Sequence, residues 1–177
     1  MRGLYRGVLV VLVVLVVAFV YQRVFGSRTE TPHLVSSQPV AAIGSGEDAV
    51  AVAEDGTILN GWPPPEDGSL PRLPLGTPPE VPRLKGPMLE QVRVLAAAPA
   101  ALLPYVEGSY FGESGVDVNL TSGIELRFGN SVAAAKKWRA AAAVLASPET
   151  TSLDYVDLHA PGRPSTGGSG HTLPPIP

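Results

Sequence analysis

The sequence predicts an α+β protein: an amino-terminal transmembrane helix, then a small antiparallel-rich sheet domain with two helices. Three observations lead there. Gly7 to Gln22 carries no charge, two adjacent segments around residues 116–128 alternate apolar and polar side chains, and two segments place apolar residues at helical spacing. Over 177 residues, 45% are apolar and 16% charged, figures of an ordinary globular domain. The average hides a division, because one apolar block lies near the amino terminus while 19 Pro and 19 Gly concentrate elsewhere.

Val8 to Val20 is unbroken Val, Leu, Ala and Phe, so as a helix it would have no polar face to turn to water. The expected span is Leu4 to Phe25, with Arg6 and Arg23 snorkelling and Tyr5, Tyr21 and Phe25 at the interfaces. A cleaved signal peptide is the alternative, given the basic start and Val24-Phe25-Gly26. Arg23 and the lack of a helix breaker favour an uncleaved anchor. The expected organisation is residues 1–3 as a short cytoplasmic tail, 4–25 as the span, 26–48 as a juxtamembrane linker, 49–164 as the folded domain and 165–177 as a disordered Pro/Gly-rich tail.

Within the domain, Val50 and Val52 face Ile58 across Glu54-Asp55-Gly56, a hairpin pattern. Leu70, Leu73 and Leu75 can pin the proline-rich segment that follows to a core, with a short edge strand as the most its prolines allow. Pro87 opens a helix in which Val92, Leu95 and Ala96 recur until Pro99 stops it. A helical turn within Ala100 to Val106 and a strand over Glu107 to Gly112 come next.

Val116, Val118 and Leu120 alternate with Asp117, Asn119 and Thr121, and Ile124, Leu126 and Phe128 alternate with Glu125 and Arg127. Pairing 118 with 126 needs the three-residue loop Thr121-Ser122-Gly123, and the same register sets Asp117 opposite Arg127 on the outer face. Gly129-Asn130-Ser131 caps a helix to about Ser147, with Ala134, Trp138, Ala141 and Leu145 on its core side and Lys136, Lys137 and Arg139 expected on a solvated face. Leu153 to His159 is the last expected strand, with Val156 and Leu158 on one face and Tyr155, Asp157 and His159 on the other.

A net charge of -3 and a pI near 5.6 lack the basic footprint of a nucleic-acid binder. The chain has no Cys, which removes disulfides, thiolate metal sites and thiol catalysis. His33, His159 and His171 are scattered, so no catalytic residues, metal ligands or cofactor site are expected and the chain reads as a non-enzyme.

The order of elements resembles the carboxy-terminal β-domain of the FtsQ/DivIB cell-division family over roughly Ala49 to Pro164. It is carried by Asp55-Gly56, the Leu70 to Leu75 segment, Gly115-Val116, Ser122-Gly123, Phe128-Gly129, Lys136-Lys137 and Tyr155-Val156-Asp157-Leu158. The resemblance implies a non-enzymatic, single-pass scaffold of the septum-assembly complex, with its amino terminus cytoplasmic and its domain outside the cell membrane. It implies as partners the bilayer and small bitopic proteins of the FtsB/DivIC and FtsL kinds, the former adding a strand to the last strand of the domain. Carried over by position, the partner-binding edge is Tyr155, Val156, Asp157, Leu158 and His159. The family's POTRA domain has no counterpart here, since only Gly26 to Asp48 separates span from β-domain, and His159 stands where the family commonly has Arg. The alternative function is a membrane-tethered extracytoplasmic ligand-binding or sensor domain unrelated to division.

Overall fold

The computed structural model describes residues 38–65 and 69–172. The order is β1 (Pro39–Ile43), β2 (Val50–Ala53), β3 (Ile58–Leu59), α1 (Pro87–Ala96), β4 (Val106–Gly112), β5 (Gly115–Leu120), β6 (Glu125–Gly129), α2 (Ala134–Leu145), β7 (Ser152–Asp157) and β8 (Ser165–Thr172). The expected single sheet is instead two, a three-stranded β1-β2-β3 and a five-stranded β4-β5-β6-β7-β8. All neighbours pair antiparallel except β6 and β7, which are parallel and joined through α2.

No helix among the described residues is long and apolar enough to cross a membrane, so the described fold is α+β without the expected spanning helix. The segment expected to span, Leu4 to Phe25, lies outside the described residues.

The Leu70 to Leu75 segment explains why two sheets arise. It was expected as an edge strand, yet Arg72 forms a parallel bridge to Ala42 of β1 on one side and to Gly108 of β4 on the other. Ala42 N–H donates to Pro71 O at 2.9 Å, Leu73 N–H to Ala42 O at 2.9 Å, Arg72 N–H to Glu107 O at 3.1 Å and Ser109 N–H to Arg72 O at 3.1 Å. Prolines at 71 and 74 prevent a longer strand, so one rung is all the segment can supply. A Cβ on Gly108 would come within 2.5 Å of Arg72 O, so only glycine permits this junction.

Two expected boundaries move. The linker ending at Asp48 contains β1, whose Ala41, Ala42 and Ile43 are buried; three residues of small or apolar type are too few to show a sequence period. The tail expected to be disordered from 165 contains β8, held by backbone pairing to β7 rather than by apolar burial.

Other expectations stand. Val52 pairs with Ile58 across the turn, where the Asp55 carboxylate accepts from Thr57 N–H at 3.0 Å and Thr57 Oγ1 at 2.9 Å. Asp117 pairs with Arg127 and Val118 with Leu126, although a bulge sets Val116 against Gly129. α1 packs on β1, β4 and β5, covering the junction of the sheets, and α2 packs against β6 and α1. Trp138 is fully buried, its indole N–H donating to Val94 O at 2.7 Å and its ring 4.9 Å from that of Phe128. Lys137 departs from the expected solvated face. It is buried, with Nζ donating to Phe128 O at 2.7 Å and to Asn130 O and Oδ1 at 3.1 Å, which offsets the desolvation that lowers its pKa.

Candidate partner-binding edge and the polar row beside it

β7 was expected to end the sheet, with Tyr155 to His159 as a free edge. It is an interior strand. Parallel pairing with β6 sets Glu125 against Tyr155 and Arg127 against Asp157, while β8 takes the other side, with Val156 opposite Thr166 and Asp157 opposite Ser165. Neither of its sides offers a partner a free row of backbone groups. Val156 and Leu158 are wholly buried core residues, so of the five only Tyr155, Asp157 and His159 present side chains to the outer face.

What hides the edge is a strand that sequence periodicity cannot see. β8 reads Ser-Thr-Gly-Gly-Ser-Gly-His-Thr, contributes no apolar side chain to the core and is almost wholly exposed. Its glycines fit the side chains of β7. A Cβ on Gly167 would stand only 2.6 Å from the Tyr155 ring, and the Asp154 carboxylate accepts from Gly170 N–H at 2.7 Å. Gly168, at φ 77°, turns the bulge around that carboxylate, whose oxygen would lie 1.9 Å from an added Cβ. A spacing of glycines opposite Asp154 and Tyr155 is the only trace of this fit in the sequence.

The two ends of the strand arrangement differ. β3 has two residues and is preceded by Thr57 bridged to Arg83, with Ile58 N–H donating to Pro82 O at 3.0 Å, so a proline and an arginine shield that end. β8 has eight residues, with neither Pro nor Lys nor Arg among them.

On the outer face, successive pairings align Tyr110, Asp117, Arg127, Asp157 and Ser165 in one row from β4 to β8. The row borders a cavity of about 310 Å3 whose lining also includes Glu113, Ser114, Glu125 and His159. Arg127 does not turn to Asp117, its cross-strand neighbour. Its Nε donates to Glu125, and the guanidinium lies 3.9 Å from the Tyr155 ring centre, a cation–π contact. Tyr110 also donates to Glu125. Burial pushes the Glu125 carboxyl up, but these two donors outweigh it and hold its pKa below the ordinary value; burial and the same bond raise that of Tyr110.

His159 Nδ1 meets Asp157 Oδ1 at 2.8 Å and Nε2 meets Ser114 O at 3.2 Å. With an acceptor at each ring nitrogen, the doubly protonated form is favoured, and the Asp157 bond chiefly raises its pKa. Asp157 is pushed up by burial, yet its bonds from His159 N–H and ring bring its pKa below normal. Asp117 is left over. Only 6% exposed, it has an Oδ1 that no donor of the described residues reaches, and burial, then the nearby Glu125 charge, raise its pKa to about 6.

Comparison of the chain with protein-family models, with curated proteins and with solved structures finds no match. Among the described residues no three His, Asp or Glu side chains stand together as metal ligands.

Proposed function

We propose that the protein is a non-enzymatic scaffold at the cell membrane, of the septum-assembly kind, that receives an extended segment of a small bitopic division protein at the β8 end of its five-stranded sheet. The observation that carries this reading is the outer edge of β8, a strand of eight residues without Lys, Arg, Asp or Glu, whose row of backbone donors and acceptors no other strand of the described residues pairs. The receiving strand is therefore β8 rather than Tyr155 to His159. Support for the division assignment comes from the element order around Gly115-Val116, Ser122-Gly123, Phe128-Gly129 and Tyr155 to Leu158. Support for the membrane comes from the apolar run Val8 to Val20.

The test is photo-crosslinking in living cells from a photoreactive residue at Thr166 of the full-length protein, with fluorescence localisation of a parallel fusion. Adducts with a small bitopic division protein, and a signal at midcell, are the expected result. A uniform membrane signal with no such adduct would overturn the proposal. The second reading, a ligand-binding domain, is favoured by one observation, the polar cavity around Asp117.

A further inference from the structure

Two side chains of β7 reach across β8. Asp154 and Tyr155, between the buried Leu153 and Val156, extend over Gly167, Gly168 and Gly170, which have no side chains in the way. The Tyr155 ring passes over Gly167, its Cζ and Oη each 2.6 Å from where a Cβ there would stand. The Asp154 carboxylate sits beside the Cβ positions of both Gly168 and Gly170, 2.7 Å from the second, and accepts from Gly170 N–H. Each side chain therefore starts on an interior strand and ends over the outermost one.

A strand added outside β8 lies about 4.8 Å from it, and a residue facing these glycines has its Cβ about 4.5–5.5 Å from their Cβ positions. That distance brings the side chain of the added residue up to the Asp154 carboxylate. Asp154 is exposed, enters no ion pair of the described residues and overlies a strand with neither Lys nor Arg. Its charge is therefore open to whatever pairs with the edge. A positive side chain in the added strand gains by it, and an acidic one at the same place meets like charge across neighbouring strands.

We propose that the segment received at β8 carries a lysine or arginine facing Gly168 to Gly170, its charge met by Asp154 and its stem laid along the edge of the Tyr155 ring. This rests on the strand-addition reading and adds to it a requirement on the partner's sequence. The glycines of β8 then have a second role, since a side chain at 167, 168 or 170 would push Tyr155 and Asp154 back from the edge. From the other side the Arg127 guanidinium, 3.9 Å from the ring centre, keeps Tyr155 lying over the sheet.

The test adds short capped peptides of alternating Thr and Val, with Lys, Gln or Glu at the centre, to the full-length protein in lipid nanodiscs and follows the β8 amide shifts by NMR. At low ionic strength the Lys peptide should bind about threefold more tightly than the Gln peptide and about tenfold more tightly than the Glu peptide, and added salt should shrink both ratios. Asp154→Asn keeps an acceptor for Gly170 N–H, so amide protection in β8 should be unchanged while the three peptides bind alike. Equal binding of the three to the parent, or the same Lys preference in Asp154→Asn, would overturn the inference and leave strand addition standing. β8 amides that none of the peptides shifts would overturn both.

Discussion

β5 and β8 belong to one sheet and are held there by opposite means. In β5, Val116, Val118 and Leu120 enter the core and even Asp117 on the other face is buried; in β8 no residue is buried. Burial of a Val or Leu side chain contributes about 1.5–3 kcal/mol, so β5 is fixed by side chains and cannot leave without unfolding the domain. β8 is fixed by backbone hydrogen bonds, each contributing about 0.5–1.5 kcal/mol net, and by a fit of glycines around Asp154 and Tyr155. A strand held this way can loosen while the core stays folded.

The largest effect that sharpens this contrast is expected at Phe128, on β6 against the Trp138 ring. Phe128→Ala should cost about 3–5 kcal/mol in denaturant unfolding, since the fixed helix α2 cannot close the space. A cost below about 1 kcal/mol would mean that the core side of the sheet is no more tightly held than β8.

Next in size is the polar face of β5. Asp117 has its pKa raised from 3.8 to about 6, so the folded state binds its proton more tightly than the unfolded chain. Lowering the pH from about 6 to about 4 should therefore stabilise the protein, by about 2–3 kcal/mol from this group alone. Asp55, Glu90, Glu125 and Asp157 have lowered values and act in the opposite sense, losing the stability they contribute as pH falls below the ordinary carboxylate range and through their folded values. Chemical denaturation across this range should show a maximum on the acid side of neutrality, and Asp117→Asn should remove the rise between pH 6 and 4.

The same contrast sets what could be read in advance. β5, β6 and both helices were legible because apolar side chains repeat at a period of 2 or 3.6, and Gly123 marked the loop that fixes the 118–126 register. β1 was too short and small to show a period. β8 has no apolar residue to show one, and backbone pairing leaves no compositional mark, so Gly-Gly-Ser-Gly reads as part of a disordered tail. The Arg72 rung was hidden for a related reason, because a one-residue bridge has no period at all. At the site, the register predicted Asp117 opposite Arg127, but a period cannot say which of two neighbouring carboxylates the guanidinium joins. Competition from Glu125 and Tyr155, which depends on their three-dimensional placing, decided it. Lys137 was misplaced likewise, since its Nζ reaches Phe128 O and Asn130 only once β6 and α2 have docked.

A smaller global effect is expected from Gly168→Val, and its value lies in being local. The valine would need an unfavourable positive φ and would collide with the Asp154 carboxylate. Amide exchange in β8 should rise at least tenfold while protection in β5 and β6 changes little, and unfolding free energy should fall by no more than about 1 kcal/mol. Equal loss of protection in β5 would show that the two strands fold as one unit and that backbone pairing holds the sheet more firmly than its composition implies.

The smallest effect belongs to His159, an exposed ring between Asp157 and Ser114 O. Its raised pKa means that the folded state favours the imidazolium, so its contribution is complete below about pH 6.5 and is lost as pH rises through the folded value. Exposure screens the pair, and the loss should be a small decline on the alkaline side, separate from the Asp117 rise between pH 6 and 4. His159→Gln keeps the hydrogen-bonding reach without the titration, and should flatten the alkaline decline while leaving the acid-side rise in place. If it removed both, the two groups would titrate as one unit, and the outer face from β5 to β7 would have to be treated as a single coupled network.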